Sequence, residues 1–121
     1  MKELLAGRVA VVTGSGRGIG AAIARRLAEY GAKVVLTDIN AEGIETLEKD
    51  LAAEGHEAKS MVFNVADFDN IPKQVERIHA LFGRIDIWVN NAGITESASI
   101  ESITHQQWDR MQDINLKSVF F

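Results

Sequence analysis

Short apolar runs alternate with longer amphipathic ones four times along this chain, and that alternation narrows the possible folds sharply. "RVAVVTG" (8–14) is continuous, β-branched and closed by glycine, as a strand buried on both faces would be. From Gly18 to Tyr30, Ile19, Ile23 and Leu27 recur every four positions, which predicts a helix with Gly31 as its stop. "AKVVLTD" (32–38) reads as a second strand, and residues 41–54 as a second helix through Ile44, Leu47 and Leu51. "AKSMVFNV" (58–65) is a third strand. Residues 68–82 are a third helix, with Ile71, Val75, Ile78 and Phe82 on one face and Pro72 harmlessly in its first turn. "RIDIWVNNAG" (84–93) is a fourth strand running into a loop, and from about Thr104 the pattern turns helical again.

Buried strands joined by helices must run in the same direction, because each crossover returns the chain to the same end of the sheet. The expected class is therefore α/β: a doubly wound parallel sheet, Rossmann-like, with about four strands. At 121 residues, 46% of them apolar and 25% charged, the chain reads as one ordinary globular domain over 1–121. A net charge of −4 with no basic cluster argues against nucleic acid or an anionic membrane surface as partner. Cysteine is absent, which excludes disulfides, thiolate metal sites and thiol nucleophiles. His56, His79 and His105 lie on separate segments without metal-ligand spacing, so no metal is expected. "MKELLAGRVAVV" is too polar for a signal peptide, and no apolar stretch approaches the roughly 18 residues of a membrane span. A cytoplasmic, soluble protein is expected.

"VVTGSGRGIG" (11–20) packs four glycines into seven positions at the point where the first strand meets the first helix. An ordinary turn needs one glycine, and four would destabilise it without some return. A helix N-terminus has unpaired N–H groups and about half a positive charge, which suits a phosphate, and glycines let the backbone come close to it. Asp38 lies twenty residues beyond Gly18, at the end of the second strand, where a carboxylate accepts hydrogen bonds from ribose hydroxyls. It would also repel a 2′-phosphate, which favours NAD over NADP. The lesser alternative is a helix N-cap or turn Asp before residue 41. Ser15, Arg17 and Ile19 complete the loop, and Ile39 follows Asp38.

The glycine spacing lacks the plain G-x-G-x-x-G form, though Gly16, Gly18 and Ala21 trace a looser version of it. The better description is T-G-x-x-x-G-x-G at Thr13, Gly14, Gly18 and Gly20, which resembles the short-chain dehydrogenase/reductase family. In that family a basic residue at the place of Arg17 often accompanies NADP, so Arg17 and Asp38 pull in opposite directions. "NNAG" (90–93) is otherwise a bland turn, but it is a hallmark of the same family. The resemblance makes Asn90 a brace of the sheet and puts Asn91, Ala92 and Gly93 nearer the cofactor. It also sets Asn64 and Val65 against adenine. Asn115, by default an exposed or capping polar residue in the last helix, would hold a water linked to the catalytic lysine. The overall tenor is close to 3-oxoacyl-[acyl-carrier-protein] reductases and to polyol or hydroxysteroid dehydrogenases.

The resemblance implies hydride transfer between nicotinamide and an alcohol or ketone, carried out by a serine, a tyrosine and a lysine four residues after the tyrosine. The single tyrosine, Tyr30, is followed by Lys33 and does not fit. Family members are about twice this length, so these groups are expected beyond Phe121, which would fall within the helix of Asn115. The chain as it stands should bind the adenosine half of a dinucleotide without turnover, and its fourth strand should have an open edge. The resemblance also implies a homo-oligomer, a dimer or tetramer, paired through the Asn115 helix and the one after it, with Trp108, Met111, Phe120 and Phe121 on the buried face; burial of these residues within one chain stays open. A non-catalytic dinucleotide-binding module, or an excised half-domain, also remains open.

Overall fold

The computed structural model describes residues 4–64 and 66–91. Four strands, β1 (Val9–Val12), β2 (Lys33–Asp38), β3 (Ala58–Val62) and β4 (Ile87–Val89), form one sheet in the order β3-β2-β1-β4. Every pairing is parallel, with Val12 opposite Leu36 and Val89, and Asp38 opposite Val62. Helices α1 (Gly18–Glu29), α2 (Ala41–Ala53) and α3 (Ile71–Phe82) join them, the last preceded by a 3-10 turn at Phe68–Asn70. The expected α/β class and its four strands are those of the structure, and this strand order is the Rossmann one. All four carboxyl ends lie along one edge of the sheet.

Alternation along β1 divides the core. Ala10 and Val12, with Val34 and Leu36, face α1 and α2, where Ala24, Ala28, Ile44, Leu47 and Leu51 meet them. Val9, Val11 and Val35 face the other way, toward Phe63 and Ile78. The expectation of strands buried on both faces holds for β1 and β2 and not for β3 or β4, whose residues are half-buried or exposed. The α1 face also differs from the expected one. Gly20, Ala24 and Ala28 are its buried stripe, while Ile19 is 75% exposed and Ile23 and Leu27 only flank the core. The three small residues bring α1 down close upon the sheet, which larger side chains at those places would prevent.

At the amino end of the sheet, Asp86 ties β4 to β1. Its carboxylate accepts from the Val9 N–H at 2.8 Å and from Arg84 Nε at 2.7 Å, and its own N–H donates to the Val9 carbonyl. The Arg84 hydrogen bond, then that of the Val9 N–H, hold this carboxyl below the usual carboxylate range. Tyr30 ends α1, half-buried, with the Arg26 guanidinium 5.6 Å from its ring centre.

Candidate functional site

The segment leaving β1 is held by the ends of the two strands beside it. On the β4 side, the Thr13 N–H donates to the Val89 carbonyl at 3.0 Å, and the Thr13 hydroxyl accepts the Asn91 N–H at 2.9 Å. The side-chain amide of Asn91 donates to the Gly14 carbonyl at 3.2 Å. On the β2 side, the Ser15 N–H and hydroxyl both donate to the Thr37 carbonyl, while the Ser15 oxygen accepts the Thr37 N–H at 3.0 Å. Ser15 is completely buried, so its hydroxyl serves this link and is turned from the open side of the loop. One residue on, the Gly16 N–H donates to Asp38 Oδ2 at 3.0 Å. Asp38 Oδ1 accepts the Asn40 N–H, and Asn40 in turn caps α2 through Glu42.

The loop then opens α1 with that terminus bare. Arg17 is the N-cap residue, extended and exposed, and its side chain makes no capping bond; no acidic residue stands in the first turn. Gly18 sits at φ +59°, a left-handed conformation that a β-branched residue rarely takes. At Gly20 a side chain is excluded by proximity, since a Cβ there would lie 2.9 Å from the Gly14 carbonyl carbon. Unpaired N–H groups and the positive end of the helix dipole thus face outward beside a carboxylate, with the exposed apolar side chains of Ile19 and Ile39 nearby in sequence.

Asn64 follows β3 at the same edge. Its Oδ1 accepts the Ala66 N–H at 3.0 Å, and its own peptide is gripped by Gln74 of α3, which accepts from the Asn64 N–H at 2.9 Å and donates to the Asn64 carbonyl at 3.3 Å. Gly14, Ser15, Arg17, Gly18, Ile19, Gly20, Asp38, Ile39, Asn64 and Asn91 therefore gather along one edge. Val65, Ala92, Gly93 and Asn115 lie outside the described residues.

One assignment is corrected: the brace is Asn91, whereas Asn90 accepts from the indole N–H of Trp88 at 2.9 Å on the exposed side. Strand periodicity is the cause, since Asn90 shares the face of Trp88 and Asn91 that of Val89. Two further residues were not singled out from sequence. Gly43, inside α2, lets the loop rest on that helix, because a Cβ there would come within 3.0 Å of the Gly16 carbonyl carbon. A glycine in a helix interior, about 1 kcal/mol worse than alanine, was the available signal. Gln74 carried none. Among the described residues no acidic or histidine cluster could hold a metal, and no helix is long and apolar enough to cross a membrane.

The glycine bend, the bare helix terminus and the acidic end of β2 define a parallel α/β domain of the Rossmann type. Residues 8–121 match the short chain dehydrogenase family, and the chain belongs to it. It is 43% identical to the gluconate 5-dehydrogenase of Gluconobacter oxydans 621H over 117 residues, which are 97% of this chain and 46% of that protein. It is 42% identical to the 3-oxoacyl-[acyl-carrier-protein] reductase of Escherichia coli K12 over 114 residues, 94% of this chain and 46% of the reductase. The chain thus spans about half the length of the curated relatives it matches. Among solved structures, a metagenomic short-chain oxidoreductase in complex with NADP superimposes with a TM-score of 0.90 at 40% identity, covering 96% of this chain and 53% of that one. The gluconate 5-dehydrogenase of Burkholderia cenocepacia J2315, in complex with NADP and tartrate, gives 0.88 at 41% identity, covering 98% and 47%.

Proposed function

We propose that this chain is the cofactor-binding part of an oxidoreductase that passes a hydride between a nicotinamide dinucleotide and a small alcohol or ketone. The observation that carries this reading is the uncapped start of α1 facing outward at the glycine bend, with the Asp38 carboxylate 3.0 Å from the Gly16 N–H. A diphosphate suits the first and a ribose diol the second. Gly18, Gly20 and the Arg17 backbone would receive the diphosphate, Asp38 the ribose, and Asn64 with Val65 the adenine. Asn91, Ala92 and Gly93 would line the inner side, and Asn115 would support the catalytic groups. The dinucleotide supplies the hydride chemistry when bound.

NAD is the proposed form, because a 2′-phosphate would be brought against Asp38. NADP is the second reading, favoured by the exposed Arg17 at the helix start and by the NADP and NADPH complexes of structural neighbours. Titrating the protein with NADH and NADPH tests both. At least about tenfold tighter binding of NADH is expected from the like-charge cost at Asp38, and Asp38→Ala should narrow the gap. Equal or tighter NADPH binding overturns the NAD assignment, and binding of neither overturns the dinucleotide reading.

A cytoplasmic homo-oligomer belongs to the same proposal. A non-catalytic module of the same fold would lack the serine and the tyrosine with a lysine four residues on, and NADH oxidation with small ketones by the whole protein, not by residues 1–121 alone, separates it from an enzyme.

A further inference from the structure

Ligand placement along this sheet follows strand order: a diphosphate at β1, a sugar at Asp38 of β2, and a base over the end of β3, where Asn64 stands. The first two positions are secured by neighbours on both sides. The third is not, because β3 pairs only with β2 among the described residues, and the last backbone bond of that pairing runs from the Phe63 N–H to the Asp38 carbonyl. Beyond Phe63 no adjacent strand accompanies the chain among the described residues, and the Asn64 carbonyl otherwise accepts only the Asp67 N–H of its own turn, at 3.2 Å. Gln74 fills that need. Its primary amide presents one acceptor and one donor, and both go to the same residue: Oε1 to the Asn64 N–H at 2.9 Å, Nε2 to the Asn64 carbonyl at 3.3 Å. The half-buried amide thus stands in for a missing strand partner.

We propose that Gln74 is a positioning residue for nucleotide recognition, holding the Asn64 peptide so that the end of β3 receives the base. This rests on the dinucleotide-binding reading above. Nothing in Gln74 reaches the diphosphate cradle: the bonds of Gly14, Ser15 and Gly16 run to β2 and β4. Its loss should therefore weaken ligands that carry a base and spare those that do not.

Two variants and two probes separate this from a general effect on folding. Gln74→Leu keeps the volume and removes both bonds. Gln74→Glu keeps the acceptor but sets an anionic oxygen against the Asn64 carbonyl; protonated, it regains the donor. By calorimetry at pH 8, both variants should bind ADP-ribose about fivefold more weakly than the wild type, as expected for lost part-buried hydrogen bonds. Inorganic pyrophosphate should be bound within about twofold of wild type. At about pH 5, near the range where a glutamate beside a carbonyl takes up its proton, Gln74→Glu should recover affinity relative to wild type while Gln74→Leu does not. Unchanged ADP-ribose affinity in Gln74→Leu overturns the inference, as does an equal loss for pyrophosphate or a Glu variant that gains nothing at low pH. Absence of ADP-ribose binding by the wild type overturns the nucleotide reading itself and this inference with it.

Discussion

The inner and outer strands of this sheet are built on different terms. β1 and β2 are almost wholly buried, and the loop that follows β1 is fastened from two sides by Thr37 and Asn91. β3 and β4 are half-exposed, and the segment that follows β3 is held by its own turn, where Ala66 and Asp67 donate to Asn64, and by the Gln74 side chain of α3. The difference shows where precision is cheap. At the sheet centre, the ends of two adjacent strands are already at hand, so short side chains, those of Thr13, Ser15, Asp38 and Asn91, shape the glycine bend. At the margin the same job needs a long polar side chain, which loses more rotamer freedom when it is ordered.

If this contrast is right, substitutions of similar kind should differ by location. Leu36→Ala, at a position with no exposure, should cost about 2–5 kcal/mol in urea unfolding through lost burial and the cavity left behind. Val62→Ala, at 52% exposure on β3, should cost no more than about 0.5 kcal/mol. Comparable losses for the two would abolish the distinction between inner and outer strands. Next in size is Ser15→Ala, which leaves the buried Thr37 N–H without its acceptor and should cost about 1–3 kcal/mol. A neutral result would mean that the inner loop is held elsewhere.

The smallest effect concerns Asp86, which fastens outer β4 to β1. Arg84 and the Val9 N–H favour its ionised form, so its folded-state pKa lies below the usual 3.8. The unfolded chain then takes up the proton more readily, and stability falls as pH drops below about 4 and through the folded-state value. Arg84→Ala removes the largest cause, so its thermal midpoint should decline less steeply than that of wild type between about pH 5 and 2. Parallel curves would show that Asp86 is held without Arg84.

Much of this was legible in the sequence because it is local. The β-branched run at 9–12, the spacing of Ile44, Leu47 and Leu51, and the glycines at 14–20 each announce their element within a few residues. The α1 face was misplaced by one position because Ile19 and Leu27 outweigh Ala24 and Ala28 in any count of apolarity. Close packing, which prefers the small residues, is a property of two elements together. Ser15 reads as one more residue of the glycine loop, and only the folded register sets its hydroxyl against Thr37. Asn90 and Asn91 carry identical side chains, and only the phase of β4 separates them. Gln74 acts ten residues away on Asn64 through the docking of α3, for which no motif exists.

The bond between Thr13 and Asn91 spans 78 positions. A ribosome extending the chain at roughly 5–20 residues per second releases the glycines some 4–16 s before the asparagine that completes their setting is made. The portion synthesised first thus waits for the residue after β4, and its early emergence gives the nascent polypeptide no head start toward a finished glycine bend.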